Sequence, residues 1–111
     1  MSFRIKKINE LIRQELGRIF LRELELPQGV LVTITKVETS GDLSWADVWI
    51  SIFPPEAKEE NFKKLKKLAG YLQFLLNKKL SFKTSPRLRF KLDETGEKAE
   101  ELEDLLDKEE G

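Results

Sequence analysis

Apolar residues near the start of the chain recur at helical spacing. Ile5, Ile8, Leu11 with Ile12, Leu16, Ile19, Phe20 and Leu24 form one stripe, which predicts an amphipathic helix over 3–24. Ser2 is placed to cap it, and Pro27 with Gly29 stops it. Gly17 falls inside the pattern at a cost of about 1 kcal/mol relative to Ala, so it is expected to mark a close approach of the helix to a sheet. The period then changes to two. Residues 30–38 are mostly β-branched, with Val30, Val32 and Ile34 on one face and Leu31, Thr33, Thr35 and Val37 on the other. A turn at Thr39-Ser40-Gly41-Asp42 leads to a second strand, Trp45 to Phe53. Here Ala46, Val48, Ile50 and Ile52 oppose Trp45, Asp47, Trp49 and Ser51. The short polar connection predicts an antiparallel hairpin, closed by Pro54-Pro55.

Helical spacing returns over 56–80, where Phe62, Leu65, Leu68, Ala69, Leu72, Leu75, Leu76 and Leu80 face inward. Gly70 interrupts this run, so two helical pieces are expected with a kink at Leu68-Ala69-Gly70. Residues 87–92 alternate, with Leu88, Phe90 and Leu92 in and Arg87, Arg89 and Lys91 out, as in a half-buried strand. Over 97–109, Leu102, Leu105 and Leu106 allow either a short acidic helix or disorder. The element order is α-β-β-α-kink-α-β. Two helices before the last strand favour a parallel crossover onto the second strand. The expected fold class is α+β, a three-stranded mixed sheet covered on one face by helices. It comprises a domain over 1–92 and an acidic tail over 93–111.

Charge sharpens this division. The net charge of zero hides 18 Lys/Arg against 10 Asp/Glu in residues 1–92, and two lysines against ten acids in 93–111. Between 61 and 91 stand Lys63, Lys64, Lys66, Lys67, Lys78, Lys79, Lys83, Arg87, Arg89 and Lys91, with no acid among them. A basic body with an acidic tail is expected for a protein that binds a polyanion; generic Lys/Glu enrichment of a solvated surface is the competing explanation.

Composition narrows the chemistry. Without Cys or His the chain has no disulfide, no thiolate nucleophile, no sulfur-ligated zinc and no imidazole base. The six glycines are isolated, so no phosphate-cradling loop is present. Asp42 and Asp47 flank a hairpin, where turn chemistry accounts for Asp42. Nothing resembles a secretion signal, and the apolar runs are too short to cross a bilayer. The expectation is a soluble, cytoplasmic monomer that is not an enzyme, with no cofactor, metal, membrane or small-molecule substrate.

The element order is that of the type II KH fold, an RNA-binding architecture whose usual Gly-x-x-Gly grip loop is missing here. In its place the chain has Leu68-Ala69-Gly70-Tyr71-Leu72. On these residues the sequence resembles the ribosome-binding factor A family, KH-like proteins with a helix-kink-helix instead of the loop. Further matching stretches are Ile8-Asn9-Glu10-Leu11-Ile12-Arg13-Gln14-Glu15-Leu16 and Leu31-Val32-Thr33-Ile34-Thr35-Lys36-Val37-Glu38. Others are Ser40-Gly41-Asp42-Leu43 leading into Ala46-Asp47-Val48-Trp49-Ile50-Ser51, and Ser85-Pro86-Arg87-Leu88-Arg89-Phe90. Two positions depart from the family pattern. Leu68 stands where the Ala-x-Gly kink has Ala, and Ser85-Pro86-Arg87 replaces Val-Pro-Glu, exchanging an acid for a base.

The resemblance implies an assembly factor that binds the small (30S) ribosomal subunit and its 16S rRNA, assists late maturation and rRNA processing, and supports growth in the cold. The alternative is a protein-interaction adaptor that uses the open sheet face and the acidic tail without touching RNA. For RNA contact the candidates are Lys63, Lys64, Lys66, Lys67, Lys78 and Lys79 around the kink, then Lys83, Arg87, Arg89 and Lys91. Arg4, Lys6, Lys7 and Arg13 on the first helix are a third group. Charges on the last strand also suit an edge protected against aggregation. Trp45 and Trp49 share the open face, where base stacking competes with packing against Leu31, Val37 or a tail helix, and packing is the favoured reading.

Overall fold

The computed structural model describes residues 3–80 and 85–95. Helix α1 spans Phe3–Glu23, strand β1 Leu31–Thr39 and strand β2 Trp45–Phe53. A 3-10 turn at Pro55–Ala57 leads into α2 (Lys58–Lys67), α3 (Ala69–Lys79) and β3 (Arg87–Leu92). The sheet order is β1-β2-β3, with β2 antiparallel to β1 and parallel to β3. As the alternation predicts, the fold is α+β with the helices over one face. Ile12, Leu16 and Ile19 of α1 and Leu72 and Leu76 of α3 are buried together with Ala46, Val48 and Ile50 of β2. The expected tail helix over 97–109 and Lys83 lie outside the described residues.

Local polar groups pin the sheet. At the hairpin, the Asp42 carboxylate accepts hydrogen bonds from the hydroxyls of Ser40 and Ser44, both at 2.7 Å, and from the Ser44 N–H at 3.1 Å. Leu43 takes the left-handed conformation, φ 62°, inside this turn. Asn9 Oδ1 accepts the Thr39 N–H at 2.9 Å and ties α1 to the end of β1. On β3, the Leu88 N–H donates to Gln73 Oε1 at 2.8 Å while Gln73 Nε2 donates to the Pro86 carbonyl at 3.1 Å. One side chain of α3 thus satisfies the edge of β3, which pairs with no further strand among the described residues. Residues 93–95 stay attached to the domain: the Asp93 N–H donates to the Ile50 carbonyl at 2.7 Å, and Glu94 pairs with Lys58 at 2.9 Å.

Three local expectations are corrected. The β1–β2 register shifts between Ile34 and Lys36, a bulge centred on Thr35. One extra residue flips the alternation, so Val37 turns to the helix side and is buried, rather than sharing a face with Leu31 and Thr33. Gly17 marks no close approach, since a Cβ there meets nothing within 4 Å.

The helical break is also displaced from the glycine. It falls at Leu68, φ −87° and ψ −2°, whose N–H is shared by the carbonyls of Lys64 and Leu65 at 3.2 and 3.1 Å. Helix α3 starts at the next residue, with the Leu72 N–H donating to the Leu68 carbonyl at 2.9 Å. Gly70 is an ordinary helical residue in the first turn of α3, with open space around its missing Cβ. Gly70→Ala is therefore expected to stabilise the protein by about 0.5–1 kcal/mol, seen as a small rise in melting temperature, with the bend unchanged.

Candidate nucleic-acid interface

The nine described basic residues of 61–91 do not form one surface. Because β3 buries Leu88 against the helical core, alternation sends Arg87, Arg89 and Lys91 to the opposite, open face of the sheet. Lys63, Lys64, Lys66, Lys67, Lys78 and Lys79 are all exposed on the helical layer, flanking the bend at Leu68. Their environments differ in kind.

On the helical layer the lysines meet almost no acid among the described residues. Lys64 reaches Glu60 only at 3.9 Å, and its side chain is half exposed. Lys66 lies over the Phe62 ring at 5.4 Å and Lys78 over Phe74 at 4.4 Å, contacts that orient a cation without cancelling its charge. Lys63, Lys67 and Lys79 have no acid partner among the described residues.

The open face is chemically more closed. Asp47 sits opposite Arg89 in the β2–β3 register and takes its guanidinium at 2.6 and 3.2 Å; Lys91 joins the same carboxylate at 3.2 Å. Burial pushes the Asp47 carboxyl up, but the hydrogen bonds and charges of Arg89 and Lys91 outweigh it and hold the group below its ordinary value. Arg87 and Arg89 lie over Trp45 at 5.8 and 4.7 Å, while Lys36 and Lys91 lie over Trp49, both at 5.3 Å. The tryptophans are sheathed by cations. Packing against Val37 is ruled out by the bulge, and Leu31 is 63% exposed at the other end of β1.

Neither Asp47 as the neutraliser of the β3 cations nor Lys36 as a ring partner was among the residues singled out from sequence. Their signal is cross-strand adjacency, which needs the register. On α1, Arg13 is engaged with Glu10 by a short ion pair, and Lys7 lies over Phe3 at 4.8 Å. Arg4 and Lys6 are exposed on the same first turns. Among the described residues no group of three His, Cys, Asp or Glu is placed to hold a metal, and no helix is long and apolar enough to cross a membrane.

Two aspartates outside the basic surfaces set the response to acid. Hydrogen bonds from Ser44 and Ser40 hold Asp42 at about 2, and those from Thr35 and Thr95 hold Asp93 at about 2, against an ordinary 3.8. A carboxyl depressed on folding contributes stability that is complete above its ordinary value and is lost as pH falls toward its folded one. Thermal melts followed by circular dichroism are thus expected to fall below pH 3.8, and Asp42→Asn to flatten that decline. With no His in the chain, the same melts should stay nearly level from about pH 5 to 8.

A mixed three-stranded sheet, roofed by helices that bend without a Gly-rich loop and carry uncompensated lysines, defines a KH-like α+β protein. Residues 4–106 match the family model for ribosome-binding factor A, and the chain belongs to that family. The ribosome-binding factor A of Akkermansia muciniphila is 34% identical over 107 residues, covering 96% of this chain and 85% of that one. The crystal structure of ribosome-binding factor A from Thermus thermophilus superposes with a TM-score of 0.68 at 24% identity, over 79% of this chain and 93% of its own. A homology model of the Thermus thermophilus factor, fitted into a cryo-EM map of its complex with the 30S subunit, gives 0.67 at 23% identity, over 78% and 91%.

Proposed function

We propose that this chain is a ribosome assembly factor that binds the small subunit by laying the lysines of α2 and α3 against the backbone of 16S rRNA. The observation that carries this reading is the set of exposed lysines on α2 and α3, which among the described residues meet an acid only in the loose Lys64–Glu60 pair. Lysines without partners release counterions when they meet phosphates, whereas an ion-paired residue must first give up its partner. The 30S complex of the Thermus relative supports the same partner. On this reading the protein acts as a cytoplasmic monomer in late maturation and rRNA processing, aids growth in the cold, and works by binding rather than catalysis, without cofactor or small-molecule substrate. The test is co-sedimentation with small subunits at low and high salt. Binding that weakens steeply with salt is the expected result, and salt-independent binding would count against an rRNA backbone contact.

One observation favours a second role for the open face. Asp47 engages Arg89 and Lys91 there and offsets one of their two charges, while Trp45 remains 37% exposed, a mixture closer to a protein-binding surface than to a phosphate-binding one. Subunits stripped of protein separate the two roles, since the rRNA contact survives stripping and the adaptor contact does not.

A further inference from the structure

Helix α3 is apolar on two sides. Leu72 and Leu76 fill the core, yet Tyr71 and Phe74 on the same helix are 48% and 54% exposed. At about 100° per residue, Tyr71, Phe74 and Lys78 fall within roughly 60° of one another, on the side away from Leu72 and Leu76. Lys67, the last residue of α2, stands one turn before Tyr71 across the bend. Lys78 lies over the Phe74 ring at 4.4 Å, and the Tyr71 hydroxyl reaches Glu23 at 3.4 Å, a loose contact at the tip of its ring. Single exposed apolar residues are ordinary, but two aromatic rings on adjacent turns make a continuous patch that adds nothing to the core. A solvated helix face would be served better by polar side chains.

We propose that Tyr71 and Phe74 are stacking platforms for unpaired bases of the bound RNA, an inference that rests on the RNA-binding reading above. Lys67 and Lys78 meet the phosphates on either side. Each nucleotide of a single strand carries a flat π-face and a phosphate, and the stripe offers a ring and a cation for each. Lys78 leaves the Phe74 ring readily, because an exposed cation–ring contact is weaker than base stacking and the phosphate is a stronger partner. A duplex keeps its base faces inside its own stack and presents only its backbone here. An apolar protein segment would cover the rings and leave the lysines without an anion. The open sheet face differs, since Trp45 lies under Arg87 and Arg89 beside the Asp47 carboxylate.

The test measures the affinity of the full chain for a single-stranded oligoadenylate and for an RNA duplex of equal length, by fluorescence anisotropy across a salt series. Charge alone favours the duplex, the denser polyanion; stacking makes the single strand the tighter ligand. Phe74→Leu and Tyr71→Leu are each expected to weaken single-strand binding by about five- to hundredfold, the effect of one stacked base, with duplex affinity and salt slope unchanged. Phe74→Tyr and Tyr71→Phe keep a ring and should bind as wild type. Both positions are exposed, so melting temperatures should hold. Tyr71 is the only tyrosine in the chain, so its ring NMR signals identify themselves and should shift when oligoadenylate is added. Undiminished single-strand affinity in both Leu variants, or Tyr71 signals unmoved by an oligoadenylate that binds, overturns the stacking assignment and leaves the lysine surface standing. Leu variants that lose intact small subunits but keep subunits stripped of protein set the rings against a ribosomal protein, which overturns it equally. If a Leu variant does not fold, the Tyr71 signals of wild type decide. A wild-type chain that binds neither oligonucleotide nor small subunits overturns the RNA reading itself.

Discussion

Replacing Lys63, Lys64, Lys66 and Lys67 with Gln is expected to cause the largest loss of small-subunit binding obtainable without unfolding the protein. Each phosphate contact removed should reduce the slope of log affinity against log salt by roughly one unit, so the quadruple variant should be shallower by up to about four. The side chains are exposed and point away from the core, so the melting temperature should change little. Two comparison sets give the prediction its content. Changing Arg4, Lys6 and Lys7 to Gln should cost less. Changing Arg89 and Lys91 to Gln should cost least in binding, because both already engage the Asp47 carboxylate, which offsets one of their two charges. Sedimentation with small subunits across a salt series measures all three; a larger loss in either comparison set would move the interface off the α2 surface.

Leu72→Ala should have the largest effect on stability. Leu72 is fully buried in the first turns of α3, where the helical layer meets β2 and β3. Truncation removes buried methyl groups and leaves a cavity, at a cost of about 2–5 kcal/mol. For a domain of this size that lowers the melting temperature by more than roughly 10 °C. Leu21→Ala is the control. Leu21 is equally apolar but 87% exposed, so its truncation should stay within about 0.5 kcal/mol of wild type. Thermal melts that ranked the two variants alike would contradict the placement of the core.

That ranking is legible in the chain itself, because the period of the apolar stripe on α1 is a local property and places Leu21 off it. The same local property predicts β2 and β3 with their observed ends and faces, and the two helices between them predict the parallel closure of β3 on β2. It fails at Thr35, where one extra residue in β1 reverses every later side chain and takes Val37 into the core. A bulge is a feature of pairing between strands, and nothing within residues 31–39 announces it. At the helix break the same property finds the kink within Leu68-Ala69-Gly70 but assigns it to the wrong residue. Glycine is the residue that most readily leaves a helix, so Gly70 draws attention, yet the chain turns at Leu68 and continues through Gly70 as helix.

The sequence by itself determined the elements, their order, the apolar faces and the concentration of positive charge in 61–91, since each is a matter of residue type and spacing along one segment. Only the tertiary structure decided how that charge is shared out. Residues 42 positions apart meet as Asp47 and Arg89 across β2 and β3, and this offsets part of one basic set, whereas among the described residues the lysines around Leu68 meet an acid only at Lys64–Glu60. Tertiary structure also left exposed Tyr71 and Phe74, the two rings that helical periodicity places off the inward face of α3. Electrostatics and burial act through space over a few ångströms, and those distances are fixed by register and packing rather than by neighbours along the chain.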